Sequence, residues 1–336
     1  MTCLRLSGEH VSQVAEARRE AVALARSLGY DEARAGTVAL AVTEAATNLV
    51  KHAGRGEILV GRIVRRDVDA LDFLVLDRGP GITNVAASLR DGTSSAGSPG
   101  LGLGSLSRLA SDFEVYSQRG KGTVLHFEIW PQRPSLPAVR RDGVDAGVVC
   151  VAKTGEDVAG DGWLLREGKG RTLLLVVDGL GHGPDAAAAA VAARKFAYEH
   201  WEEEPAYIVD GIHHALKSTR GAAAAVVALS AATGAGTYCG VGNIACTVRA
   251  GGATRSLVSH NGTLGHNARK IQEFSFPFPP GALLVAHSDG VATRWDLADY
   301  PGLESRSPAL IAGILYRDYN RGRDDATVAV LRSATH

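Results

Sequence analysis

Apolar residues in the first half of the chain recur at helical spacing over two stretches, Val11 to Leu28 and Asp31 to His52. In the second, Val38, Ala41, Val42, Ala45 and Leu49 make one stripe wide enough to seat a helix on a sheet. Glu57 to Val64, Leu71 to Leu76, Asp112 to Ser117 and Thr123 to Trp130 are short apolar-rich runs bounded by glycine and polar clusters, the pattern of strands. A brief helical run, Ser105 to Ala110, falls between the two strand pairs. Grouped helices with strands in adjacent pairs predict an α+β sandwich.

The second half is richer in strand-like runs. Val148 to Ala152, Gly162 to Leu165, Thr172 to Val177, Ala223 to Leu229, Thr237 to Val241, Ala245 to Arg249, Leu283 to His287 and Asp325 to Leu331 qualify. Two helical stretches, Pro184 to Trp201 and Pro205 to Ser218, interrupt them. This pattern fits sheets covered by helices.

The chain has 336 residues, which predicts two domains. Three prolines within Pro131-Gln-Arg-Pro-Ser-Leu-Pro137 mark an extended linker. The expected division is residues 1–130, a linker at 131–143 and residues 144–336. Lys+Arg and Asp+Glu both total 36, so the basic excess of a nucleic-acid-binding protein is missing. Cys3, Cys150, Cys239 and Cys246 make no C-x-x-C pair for metal or redox work and read as reduced, buried thiols. No apolar run reaches the roughly 18 residues of a membrane span, and Met1 to His10 lacks a signal-like pattern. The expectation is a cytoplasmic protein with neither a nucleic-acid nor a membrane partner.

The first candidate site starts on the second helix. Glu44, Asn48 and Lys51 fall roughly 100° from the centre of the apolar stripe, at the rim of the core. A carboxylate and an amide one turn apart can serve one ligand, the amide oxygen holding Mg²⁺ and the carboxylate taking a hydroxyl proton. On spacing alone an exposed polar face is the commoner explanation. Asp77-Arg-Gly-Pro-Gly-Ile82 follows a strand, and its carboxylate can accept from an amino group such as that of adenine. By itself it is also an ordinary turn. Gly100-Leu-Gly-Leu-Gly104 feeds a helix and offers backbone N–H groups to phosphate, and Lys121-Gly-Thr123 closes the half.

Taken together and in order, "VTEAATNLVKHAG", "DRGPGI", "GLGLGSLSRLASDFEV" and "GKGTVLHFEIW" resemble the nucleotide boxes of the GHKL ATPase superfamily. The nearest resemblance within it is to the RsbT-like and anti-sigma-factor serine kinases of bacterial partner switching, over about residues 8 to 130. The resemblance implies a Bergerat-type α/β sandwich using ATP and Mg²⁺. It makes Glu44 the catalytic base and Asn48 the Mg²⁺ ligand, and sets Asp77 on adenine in a pocket shaped by Gly79 and Gly81. Gly100, Gly102 and Gly104 would contact phosphates, with Lys51 and Thr123 also at the nucleotide. The short polar stretch Thr83 to Pro99 resembles the compact lid of these kinases.

The second candidate site is a set of aspartates beside strands: Asp161, Asp178, Asp289 and the pair Asp324-Asp325. Carboxylates gathered from strand ends repel one another and are costly to bury without a cation. All-oxygen donors favour Mg²⁺ or Mn²⁺, and two such ions can aim a shared water at phosphorus. "AGDGW", "VVDGLGHG", "GVGNI", "HSDG" and "RDDATVAVLR" resemble, in order, the SpoIIE-like branch of the PPM metal-dependent serine/threonine phosphatases, in its compact RsbX-like form. The resemblance spans about residues 144 to 333 and implies an α-β-β-α sandwich with two or more Mn²⁺ or Mg²⁺ ions. It assigns Asp161, Asp178, Asp289 and Asp325 as ligands, with the Gly179 carbonyl; Asp324 is an alternative or supporting ligand. His182, in the glycine turn, reads as either a phosphate neighbour or a plain turn residue, and His287, His213 and His214 read as structural.

The two resemblances imply a bifunctional regulator that phosphorylates and dephosphorylates STAS-domain antagonist proteins of an anti-sigma or stressosome-like pathway. Two other readings stand beside it. One is a phosphatase with a regulatory ATP-binding domain; the other is a non-catalytic module that sequesters a sigma factor.

Overall fold

The first element is one that hydrophobic spacing did not predict, a strand β1 (Leu4–Ser7). The helices α1 (Val11–Ser27) and α2 (Glu32–Asn48) follow, the second capped by the Asp31 carboxylate, which accepts from Arg34 N–H. The expected helix to His52 changes character at its end. After Asn48 the backbone widens into a π-helical turn, Leu49–Ala53, closed by a bond from Gly54 N–H to Leu49 O. Then come β2 (Gly56–Arg65), β3 (Val68–Asp77), α3 (Val85–Ser88), α4 (Leu103–Leu109), β4 (Asp112–Gln118) and β5 (Gly122–Ile129). The computed structural model describes residues 3–7, 11–65, 68–90, 102–132 and 143–334. Gly100, most of the lid-like stretch and most of the linker lie outside the described residues.

These strands form one antiparallel sheet in the order β1-β2-β3-β5-β4. The stripe Val38, Ala41, Val42, Ala45 and Leu49 is buried against Phe73, Val75, Leu125 and Phe127. Phe73 and Phe127 stack with centroids 4.6 Å apart. Tyr30 fastens the α1–α2 turn to the sheet: its hydroxyl accepts from Leu71 N–H at 2.9 Å and donates to Ile129 O.

The second half contains β6 (Val144–Val151), β7 (Asp161–Gly168), β8 (Arg171–Gly179), α5 (Pro184–Glu199), α6 (Pro205–Ala215), β9 (Ala222–Ser230), β10 (Ala235–Val241) and β11 (Ala245–Ala250). It continues with β12 (Ala253–Leu257), β13 (Glu273–Pro277), β14 (Leu283–His287), α7 (Pro308–Tyr319) and β15 (Ala326–Ser333). Two five-stranded sheets result, β13-β10-β9-β8-β7 and β12-β11-β14-β15-β6. Their inner faces meet in a core that includes Leu174, Val227, Tyr238, Cys246, Leu284 and Leu331. A second core, with Cys239, Ala193 and Ile212, lies between the first sheet and α5 and α6. Helix α7 packs on β6 and β15, completing an α-β-β-α sandwich. The strands β12 and β13 and the helix α7 are additions to the expected elements.

By contact the chain forms two compact units, Cys3–Val139 with Leu297–Arg306, and Arg140–Asp296 with Ser307–His336. The expected second domain thus yields a ten-residue segment to the first unit. Among the described residues, no helix is long and apolar enough to cross a membrane.

Candidate functional site

In the first unit, Glu44 and Asn48 stand one turn apart on α2, both half-buried. Burial pushes the Glu44 carboxyl up, against a smaller opposing pull from Lys51. Asn48 is the last α-helical residue, and Lys51 is exposed on the π-helical turn. π-helical turns are frequent at functional sites because they re-aim side chains at the point where the helix widens.

Asp77 ends β3, and its Oδ1 accepts from Gly79 N–H at 2.7 Å and Thr123 N–H at 3.2 Å. The Asp77 turn therefore also binds the start of β5. A Cβ on Gly79 would stand 2.9 Å from the Cα of Ala53, so this turn lies directly against the end of the π-helical segment. Gly81 has φ +74°, and a Cβ there would stand 2.4 Å from Gln118 O; both its dihedral and its contact call for glycine. Thr123 Oγ1 lies 2.9 Å from Ser117 Oγ. Helix α4 begins two residues earlier than expected, with Gly102 as its N-cap and Gly104 buried in its first turn, and it packs on α2. Glu44, Asn48, Asp77, Gly79 and Gly102 thus come from elements in mutual contact.

In the second unit, Asp161 opens β7 and pairs directly with Asp178 at the end of β8. Asp289 follows β14, and Asp324-Asp325 precede β15. The topology gathers these strand ends. A Cβ on Gly290 would stand 1.9 Å from Asp325 O, so the Asp289 turn lies directly on the Asp325 backbone. Ser288 ties the group together. Its hydroxyl donates to Asp161 Oδ2 at 2.7 Å and accepts from Thr327 N–H at 3.0 Å. Asn243 Nδ2 donates to Asp289 Oδ2 at 2.7 Å.

The electrostatics are those of crowded carboxylates. Burial and the neighbours Asp161, Asp289, Asp324 and Asp325 push Asp178 up to about 9. Asp161 is pushed up to about 7, chiefly by burial, although the Ser288 hydroxyl favours its charged form. Groups this far above the usual carboxylate range take a divalent cation in place of protons, and an all-oxygen set fits Mg²⁺ or Mn²⁺.

Asp325, expected as a ligand, is engaged by two backbone N–H groups. Its Oδ1 accepts from Lys153 N–H and its Oδ2 from Gly160 N–H, both at 2.8 Å. Both oxygens are used to hold the loop before β7. Asp324 is half-buried, and it acts on Asp178 more strongly than Asp325 does. His182 Nδ1 lies 2.6 Å from Glu156 Oε1 at the rim of the site. His287 is buried and receives the Trp295 indole N–H at 3.2 Å.

Sequence reasoning missed the partners Ser288, Thr327, Asn243 and Glu156. The first three lie inside the motifs quoted above, so their segments were visible and their hydrogen bonds were not. Glu156 carries no comparable signal.

The fold joins an α/β sandwich, with Glu44, Asn48 and Asp77 on adjoining elements, to an α-β-β-α sandwich that gathers the carboxylates Asp161, Asp178 and Asp289. A family model described as the histidine kinase-like ATPase domain matches residues 9–129, and one described as stage II sporulation protein E (SpoIIE) matches residues 168–333. The chain belongs to the histidine kinase-like ATPases through its N-terminal domain and to the SpoIIE phosphatases through its C-terminal domain. It is 30% identical over 129 residues to the serine/threonine-protein kinase RsbT of Bacillus subtilis (strain 168), covering 38% of this chain and 96% of RsbT. It is 24% identical over 140 residues to the phosphoserine phosphatase RsbX of the same organism, covering 41% of this chain and 70% of RsbX. A solved structure described as belonging to the bacterial stressosome matches with TM-score 0.53 and 28% identity, over 56% of this chain and 99% of that one. RsbX in complex with magnesium matches in fold with TM-score 0.51 and 21% identity, over 58% of this chain and 98% of that one.

Proposed function

We propose that the chain is a bifunctional regulator of partner switching. Its C-terminal domain removes phosphate from phosphoserine or phosphothreonine, and its N-terminal domain transfers phosphate from ATP to a serine or threonine. The observation that carries this reading is the carboxylate group of the C-terminal domain, in which Asp161 and Asp178 stand far above their ordinary range. The RsbT and RsbX likenesses, found in one chain, support opposing activities on a shared partner. A STAS-domain antagonist protein of an anti-sigma or stressosome-like assembly fits that role.

Divalent ions, when bound, supply Lewis-acid activation of an attacking water. Asp161, Asp178, Asp289 and Asp324 are the carboxylates that would hold them, with the Gly179 carbonyl. Ser288 and Asn243 orient Asp161 and Asp289 by donating to one oxygen of each. Asp325 fixes the loop that delivers Asp161 by binding Gly160 N–H.

In the N-terminal domain, Asn48 would hold Mg²⁺ and Asp77 the adenine amino group, with Gly102 and Gly104 at the phosphates. Glu44, raised by burial, is suited to take the acceptor hydroxyl proton.

The test is hydrolysis of a phosphoserine peptide by the full chain, with and without Mn²⁺, for wild type and Asp289→Asn. Mn²⁺-dependent turnover that is lost in the variant supports the reading. Turnover that survives Asp289→Asn overturns it. Transfer from labelled ATP to a purified STAS-domain protein, compared with Glu44→Gln, tests the kinase half. Equal transfer in both proteins would remove Glu44 as the base, and no transfer by the wild type would leave the N-terminal domain as an ATP-responsive regulator only.

A further inference from the structure

The N-terminal sheet carries a second cluster of charge, away from its helices and from Glu44 and Asp77. Phe73, Val75, Leu125 and Phe127 face the helical core, so Asp72, His126 and Glu128 face the other way. Asp72 on β3 pairs directly with Glu128 on β5, and Glu128 in turn pairs with Asp112 on β4. Three carboxylates therefore lie in one row across three strands. Like charges directly opposite on a sheet repel, and Glu128, the buried member of the row between half-buried Asp72 and exposed Asp112, is stabilised by a nearby cation.

His126 supplies part of that charge. Its Nε2 lies 2.6 Å from Asp72 Oδ1, and the imidazole and Glu128 are each 3% exposed. Asp72, Glu128 and Asp112 together hold the imidazole protonated against the cost of its burial, with its pKa raised to about 9. The other ring nitrogen, Nδ1, is buried with no hydrogen-bond partner among the described residues. Ligand atoms of Asp72, His126 and Glu128 lie within 4.8 Å of one another, close enough to converge on one ion. The Trp130 indole N–H donates to Glu128 Oε2 at 2.8 Å, fixing that carboxylate as an outer-sphere partner would.

We propose that Asp72, His126 and Glu128 form a binding site for a divalent transition-metal ion of the zinc class, separate from the carboxylate group of the C-terminal domain. One imidazole with two carboxylates suits Zn²⁺ rather than Mg²⁺, because a ring nitrogen is a poor ligand for hard cations. Three protein ligands leave a fourth tetrahedral position for water. Binding exchanges one proton for one ion: the imidazolium N–H ionises, its nitrogen lone pair goes to the metal and the proton leaves to solvent. The ion would pin β3 to β5, the two strands that carry Asp77 and Thr123 at their ends.

The test uses the full chain without an affinity tag, carrying Asp178→Asn and Asp289→Asn to weaken the other cluster. Equilibrium dialysis against micromolar Zn²⁺ should give one bound ion per chain. His126→Gln and Asp72→Asn should each weaken binding by about tenfold or more, since even outer-sphere substitutions cost that much. X-ray absorption of the zinc-loaded protein should show one nitrogen at about 2.0 Å among oxygens. An all-oxygen shell, no bound ion, or unchanged affinity in His126→Gln would overturn the proposal. The absorption result decides the matter even if the His126 variant fails to fold.

Discussion

At the scale of single residues, roles follow from which atoms are already engaged. Asp324 and Asp325 are adjacent and chemically identical, and a motif alone does not separate them. Hydrogen bonding does, since Asp325 binds two backbone N–H groups with both oxygens. Asp324→Asn should abolish metal-dependent turnover with little loss of stability. Asp325→Asn should lower the unfolding free energy by about 1.5–3 kcal/mol, the range for a bond to a charged group, and keep measurable turnover. Phosphatase assays and urea melts on the two variants check this, and the reverse pattern would return the ligand role to Asp325. Tyr30 gives a second residue-scale case. Its hydroxyl is buried between Leu71 N–H and Ile129 O, and burial pushes its pKa up to about 12. Tyr30→Phe leaves a buried N–H unsatisfied and should cost about 1–3 kcal/mol in a denaturant titration.

At the scale of elements, legibility tracked amphipathicity. The stripe of α2 announced its helix because one face is buried and the other is not. Helix α7 was silent for the opposite reason: ten consecutive residues, Pro308 to Arg317, are buried, so no polar face marks its period. Edge strands β12 and β13 are mostly exposed and carry the polar runs that read as loop. The widening after Asn48 has no sequence pattern of its own, because a π-helical turn adds one residue to a helix without changing its composition. The Asp motifs were legible because their glycines and carboxylates are local, whereas Ser288 and Asp161 are joined across 127 positions. Burial of α7 also sets an expectation for stability. Leu310 is fully buried, and Leu310→Ala should cost about 2–5 kcal/mol in a chemical melt.

At the scale of the molecule, the aspartates couple folding to pH and cation. Asp161 and Asp178 sit well above the roughly 3.9 of an unfolded aspartate, so in that window the folded chain binds more protons than the unfolded one. Without metal, stability should therefore fall as pH rises from about 5 through about 9. His126 adds a term of the same sign, present below about 6.5 and lost through about 9. Melting curves in a chelator should show this decline, with Asp178→Asn reducing it. Mn²⁺ should raise the melting temperature more at high pH than at low, because fewer protons must leave. A chelated protein whose melting temperature rises over that range would contradict the assignment. The buried thiols offer a different kind of reading. Cys246 lies between the two sheets and Cys239 between the first sheet and its helices, and burial raises both thiols, the latter to about 12. Neither can be alkylated while its layer is closed. Mass-tagging under mild denaturant would then show which layer of the sandwich parts first, with Cys3, half-buried in the other unit, as the internal timer.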